Sequence, residues 1–214
     1  MHVELRGPAG PLEALLDEPK GSRFAAVVCH PHPLFGGTMH NHATYRLAKA
    51  VVSLGGVALR FNYRGVGRSA GRYGRGRGEA EDAAASLAWL AREHPELPRL
   101  ACGFSFGAWA AAIAGARDPG VKAFVLAGVA LRAPDLLEMR DAARLRDIER
   151  PLAIVQAAGD EFASPDDIRE AVAGSAGPRR VSVVKGTTHL FPAALPALQR
   201  EAEAAVSWAL GEAA

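Results

Sequence analysis

Arg99-Leu100-Ala101-Cys102-Gly103-Phe104-Ser105-Phe106-Gly107-Ala108 decides the fold. An apolar run, residues 99–102, leads into an alanine-rich helical run, residues 108–116, and the G-x-S-x-G between them leaves room only for an abrupt strand-to-helix turn. Such a turn forces Ser105 into a strained backbone and lifts its hydroxyl clear of the sheet edge. The small residues Gly103 and Gly107 let neighbouring chain pass close by. The next N–H, that of Phe106, then sits at a helix N-terminus, where it can bind a developing oxyanion. Geometry of this kind suits acyl transfer with Ser105 as nucleophile.

The pattern is short and made of common residues, so it needs partners: an acid and then a histidine, in that chain order, each just beyond a later strand. The acid candidate follows the apolar stretch 151–157, in Gly159-Asp160-Glu161. Asp160 is the leading choice and Glu161 the alternative. A carboxylate there would accept the proton of one imidazole nitrogen and stabilise the imidazolium formed during reaction. Asp166 and Asp167 read instead as the first turn of a helix opened by Ser164-Pro165, where negative charge complements the helix dipole. The base candidate is His189, in a loop after the β-branched run 181–184, from which its imidazole can reach the serine oxygen.

Outward from these positions the chain alternates. Residues 3–6 and 12–16 flank Gly7-Pro8-Ala9-Gly10-Pro11 and read as an antiparallel hairpin. Short, often β-branched runs at 24–29, 57–61, 99–102, 121–126, 152–156 and 181–184 read as strands buried on both faces of a parallel sheet. Helical stretches at 43–54, 79–93, 106–116, 134–145, 166–173 and 192–210 lie between and after them. Ala83, Leu87 and Leu90 share one helical face, with Glu79, Glu81 and Asp82 as an acidic first turn. The class is α/β, with a mostly parallel central sheet flanked by helices. One domain over residues 1–214 is expected, and the interval between the strands at 121–126 and 152–156 is too short for a lid domain, which leaves an open site.

Composition narrows the function. Hydrophobic residues make up 49% and charged residues 22%, an ordinary globular balance that argues against wholesale disorder. A net charge of +2, from 25 basic against 23 acidic residues, is too even to imply a nucleic-acid or membrane surface. The only cysteines, Cys29 and Cys102, lie inside apolar runs and read as free buried thiols, which fits a reducing cytoplasm. No signal-like N-terminus or long apolar stretch appears, so neither export nor a membrane span is expected.

Two further loops leave core strands at the same edge. In Cys29-His30-Pro31-His32-Pro33-Leu34-Phe35-Gly36-Gly37-Thr38-Met39-His40-Asn41-His42 the prolines have no N–H, so His32 is the favoured second oxyanion donor through its backbone, with Leu34 behind it. The histidines at 30, 32, 40 and 42 invite a metal-site reading, but prolines splay the first pair apart and no further ligand has fixed spacing, so no metal is expected. In Phe61-Asn62-Tyr63-Arg64-Gly65-Val66-Gly67-Arg68-Ser69-Ala70-Gly71, an arginine could orient a carboxylate or pin the loop through buried hydrogen bonds, and pinning is favoured. His30, Phe35, Gly36, Arg64 and Phe104 are the candidates for touching substrate, although a structural role is favoured for His30 and Arg64. The stretch Arg72-Tyr73-Gly74-Arg75-Gly76-Arg77-Gly78 reads as a solvated basic loop.

With the turn at Ser105, the HPHPLFGGTM loop and FNYRGVGRSAG assembled, the chain resembles the α/β-hydrolase superfamily over nearly its whole length. It looks most like the small lidless group of predicted hydrolases related to dienelactone hydrolases. The resemblance implies Ser105, Asp160 and His189 as catalytic triad, and backbone N–H groups of Phe106 and the His32 to Leu34 region as oxyanion hole. It implies neither metal nor organic cofactor, and a small ester or thioester as substrate. Such proteins often carry an acidic residue where this chain has the basic 73–78 loop, and dienelactone hydrolases proper use cysteine as nucleophile. A binding protein that keeps the fold without turnover is the alternative. Oligomeric state is not legible.

Overall fold

The computed structural model describes residues 1–133, 139 and 144–211. They form an eight-stranded sheet in the order β1-β2-β4-β3-β5-β6-β7-β8. β1 (His2–Gly7) and β2 (Gly10–Asp17) make the expected hairpin, and β2 runs antiparallel to β4 (Gly56–Phe61). From there β3 (Phe24–Cys29), β5 (Arg99–Phe104), β6 (Val121–Ala127), β7 (Leu152–Ala157) and β8 (Arg179–Val184) continue in parallel. The helices are α1 (His42–Ser53), α2 (Arg77–Glu93), α3 (Phe106–Arg117), α4 (Pro165–Ala171) and α5 (Leu195–Ala209).

The pleat sends successive side chains to opposite faces, and each face has its own core. In β3, Ala25, Val27 and Cys29 join the side chains of α2 and α3. Phe24, Ala26 and Val28 join those of α1 and α5. Burial on both faces is why β3 reads as an unbroken apolar run and β4 as one interrupted only by Arg60. Both cysteines are free and buried, and burial pushes the Cys29 thiol up to about 12.

This winding also places the site. The chain passes from β3 through α1 to β4 on one side, then returns through α2 to β5 on the other side of β3. Loops after β3 and β5 therefore leave the sheet in opposite senses, which opens a crevice above their C-terminal ends. Cys29 lies in register with Gly103, so the two loops start side by side.

Three expectations need correction. β8 is not buried on both faces: Arg179 to Val183 are half-buried and only Val184 is fully covered, because the strand closes the sheet's edge. Its β-branched run resembles a central strand in sequence alone. α2 begins at Arg77, not 79, so of the expected acidic first turn only Glu79 lies in it, and Glu79 and Asp82 are wholly buried and anchor loops. The last helix begins at Leu195, not 192, with Pro196 in its first turn. The helix expected at 134–145 falls outside the described residues except at 139, 144 and 145. α4 opens as expected: Ser164 Oγ accepts from Asp167 N–H at 3.2 Å, and the Asp167 carboxylate accepts in return from Ser164 N–H.

Candidate active site

Ser105 stands between β5 and α3 with φ 57° and ψ −118°, a conformation that non-glycine residues rarely adopt. Its N–H is held by Ala127 O at 2.9 Å, which ties the turn to β6. A Cβ on Gly103 would run into the Gly107 carbonyl, and a Cβ on Gly107 would strike the carbonyl oxygens of Cys29 and His30. Both glycines are thus required by contact with main chain, which cannot move aside as a side chain can.

The loops after β7 and β8 are laced together, with Ala158 N–H on Val184 O at 2.8 Å and Gly159 N–H on Thr187 O at 3.0 Å. They deliver Asp160 and His189 to Ser105. His189 Nε2 lies 2.8 Å from Ser105 Oγ, and Nδ1 lies 2.9 Å from Asp160 Oδ2. The carboxylate requires Nδ1 to carry a proton, so in the neutral ring Nε2 is the acceptor for the serine hydroxyl. A hydroxyl so placed can lose its proton to the imidazole as it attacks an electrophile. Both partners are almost fully buried, which limits competition from water. Phe104 stacks on the imidazole with centroids 5.4 Å apart, and Phe162 packs edge-on at 4.7 Å.

Of the two candidate acids, the geometry brings Asp160 and not Glu161 to the imidazole. Glu161 Oε2 accepts instead from the His189 backbone N–H at 3.2 Å. Asp160 is itself held by Phe162 N–H on Oδ1 and by Gln156 Nε2 on Oδ2, each at 2.9 Å. Gln156, fully buried, also donates to Val129 O at 3.3 Å and Ala163 O at 3.0 Å, and its Oε1 accepts from Val129 N–H at 3.0 Å. Sequence reading passed over this residue. Its signal was a lone amide in a buried apolar strand, which demands partners.

The loop after β3 makes a 3₁₀ turn over Pro33–Phe35, and His32 O accepts from the N–H groups of Phe35 and Gly37 at 3.1 and 3.0 Å. His32 Nδ1 accepts from Leu34 N–H at 3.2 Å, and Nε2 meets Tyr73 Oη at 3.0 Å. The His32 ring packs edge-on against Phe106 at 4.8 Å, which sets its main chain beside the start of α3. Tyr73, another residue that sequence reading passed over, thereby ties the 72–78 stretch to the site. That stretch is not simply solvated: Glu79 accepts from Gly74 N–H and Gly76 N–H, each at 2.7 Å, and pulls it inward.

Four expected site residues stand elsewhere. Leu34 is not available as an oxyanion donor, because its N–H is spent on His32 Nδ1. His30 does not reach substrate: it is wholly buried, with Nδ1–H on Pro31 O at 2.7 Å and Nε2 accepting from Tyr63 N–H at 3.2 Å. Burial pushes its imidazole down to about 3. Arg64 turns away to Asp82, with Nε and Nη2 on the two carboxylate oxygens at 3.0 and 2.8 Å, so it pins the loop and raises its own already high proton affinity. Phe104 lies behind the imidazole, fully covered. Phe35 and Gly36 do line the pocket. His40 and His42 are exposed, and among the described residues no group of three His, Cys, Asp or Glu is placed to hold a metal ion.

Ser105 and His189 open onto a cavity of about 410 Å³ walled by Phe35, Gly36, Phe106, Ala130, Phe162 and Leu190. A family model described as serine aminopeptidase, S33, matches residues 23–146, a stretch that holds the Ser105 turn and the loops after β3 and β4. The chain belongs to this family of α/β serine hydrolases. Among solved members of the superfamily, an α/β serine hydrolase homologue from Coxiella burnetii is 32% identical, with a TM-score of 0.85 over 95% of this chain and 96% of that one. An α/β serine hydrolase without a lid, from Xanthomonas campestris, is 28% identical, with a TM-score of 0.84 over 97% and 94% of the two chains. An uncharacterized protein of Rickettsia prowazekii is 35% identical over 173 residues, 79% of this chain and 71% of that protein. The fold is accordingly that of the lidless α/β hydrolases. Among the described residues no helix is long and apolar enough to cross a membrane.

Proposed function

We propose that this hydrolase cleaves small carboxylic esters or thioesters through an acyl-enzyme on Ser105, with His189 as general base and Asp160 as the acid of the triad. The observation that carries the reading is the unbroken hydrogen-bond chain from Ser105 Oγ through His189 to Asp160, open at one end to an apolar pocket. Ser105 Oγ attacks the carbonyl carbon while His189 Nε2 takes its proton. The tetrahedral oxyanion is met by the N–H groups of Phe106, at the first turn of α3, and of His32. Donors of this kind are worth about 3 kcal/mol of transition-state stabilisation each. The proton then passes from His189 to the leaving alcohol or thiol, and water activated by the same imidazole releases the acid.

An alkyl fluorophosphonate should label the purified protein once, at Ser105 by mass spectrometry, and short-chain p-nitrophenyl esters should be hydrolysed. Both signals should be absent from Ser105→Ala, and ester hydrolysis should fall at least about a thousandfold in His189→Ala. Labelling of Ser105→Ala equal to that of the parent would overturn the assignment. A fold-retaining binding protein would bind without labelling or turnover.

A further inference from the structure

We propose that Glu161 selects substrates by charge, so that the pocket favours ammonium-bearing acyl groups, accepts neutral ones and rejects anionic ones. The proposal rests on the reading of Ser105 as nucleophile and names the substrate class of that same site. Glu161 follows Asp160 and lines the cavity, where its Oε2 is held by the His189 backbone N–H. Among the described residues its Oε1, on an exposed side chain, has no hydrogen-bond partner and is open to a ligand. Among the described lining residues it is the only carboxylate, and none is a lysine or arginine. The two lining histidines each turn one ring nitrogen to a neighbour, His32 to Leu34 N–H and His189 to Ser105 Oγ. Among the described residues Arg64 is paired with Asp82 and Arg132 with Asp167. Phe162 and the highly exposed Phe35 offer aromatic faces on which an ammonium can also rest. For charges about 6 Å apart at an effective dielectric near 40, one unit of charge changes relative rate about tenfold in each direction from neutral.

Three sulfonyl fluorides of one shape test this: 4-ethylbenzenesulfonyl fluoride, its 2-aminoethyl analogue and its 2-carboxyethyl analogue. In each, a bond forms from Ser105 Oγ to sulfur, the S–F bond breaks, fluoride leaves and the serine proton passes to His189. The parent should be labelled about a hundredfold faster by the cationic than by the anionic reagent, with the neutral one between. In Glu161→Gln, which keeps an oxygen acceptor for His189 N–H, that ratio should shrink to within about threefold. An equal ratio in the two proteins would overturn the proposal. The unreactive ions phenethylammonium and 3-phenylpropanoate, titrated by NMR, read the same preference without chemistry. If no reagent labels Ser105, the nucleophile assignment fails, while equal affinity of the parent for the two ions sinks the role of Glu161.

Discussion

Replacing Gln156 by leucine probes the link between the packing of β7 and the chemistry at Ser105. Leucine has nearly the volume of glutamine and suits a strand covered on both faces, so the change removes polar contacts with little loss of packing. Four hydrogen bonds disappear: Oε1 from Val129 N–H, and Nε2 to Val129 O, Ala163 O and Asp160 Oδ2. The Val129 N–H is left buried without an acceptor, at a cost of about 1–3 kcal/mol, and the bond to a carboxylate contributes about 1.5–3 kcal/mol. Loss at the two carbonyls is milder, because each oxygen has two lone pairs, and the added apolar side chain returns about 1 kcal/mol. The net expectation is a loss of about 3 kcal/mol. With a urea slope of about 2 kcal/mol per M, the unfolding midpoint read by circular dichroism should drop by about 1.5 M. Asp160 keeps its bonds to His189 Nδ1 and Phe162 N–H but loses one of three restraints, so fluorophosphonate labelling of the folded variant should slow about tenfold. A midpoint within about 0.3 M of the parent, or unchanged labelling, would refute the idea that Gln156 holds the carboxylate in place.

Ser105→Gly should be more stable than Ser105→Ala by about 1 kcal/mol in urea, because glycine accepts φ 57° without strain while alanine does not, and equal midpoints would show the turn to be unstrained. His30 should make stability fall on acidification. Its folded value of about 3 lies below the ordinary 6.5, so between those limits the unfolded chain binds a proton that the native chain does not. The stability present above pH 6.5 is then lost as pH falls toward 3, at up to about 1.4 kcal/mol per pH unit. Between pH 6.5 and 4.5 the parent should lose about 2–3 kcal/mol more than His30→Gln, and parallel pH profiles would refute the burial argument.

The α/β class, the hairpin, the six strands after it and the turn at Ser105 were legible because each rests on local rules, while the half-exposure of β8 was not. A strand's periodicity, a glycine beside a strained serine and a Ser-Pro helix start all act within a few residues. Order along the chain was enough to bring Ser105, Asp160 and His189 forward, since loops after parallel strands emerge at one edge. Gln156 escaped notice because its partners Val129 and Ala163 lie on other segments, and Tyr73 because its partner His32 lies in a different loop.

What the sequence by itself determined is the alternation of elements and the candidates at the sheet's C-terminal edge, because backbone preference and hydrophobic period are written in near neighbours. Only the tertiary structure decided which candidates face the cavity. Asp160 and Glu161 are adjacent and chemically alike, yet one meets an imidazole and the other a backbone N–H and the pocket. Arg64 and His30 carry side chains able to meet a substrate as well as to pin a loop, and Asp82 and Tyr63 hold them in the second role. A side chain's role follows from the partners that distant segments bring to it, and those distances arise only when the sheet and its helices close on each other.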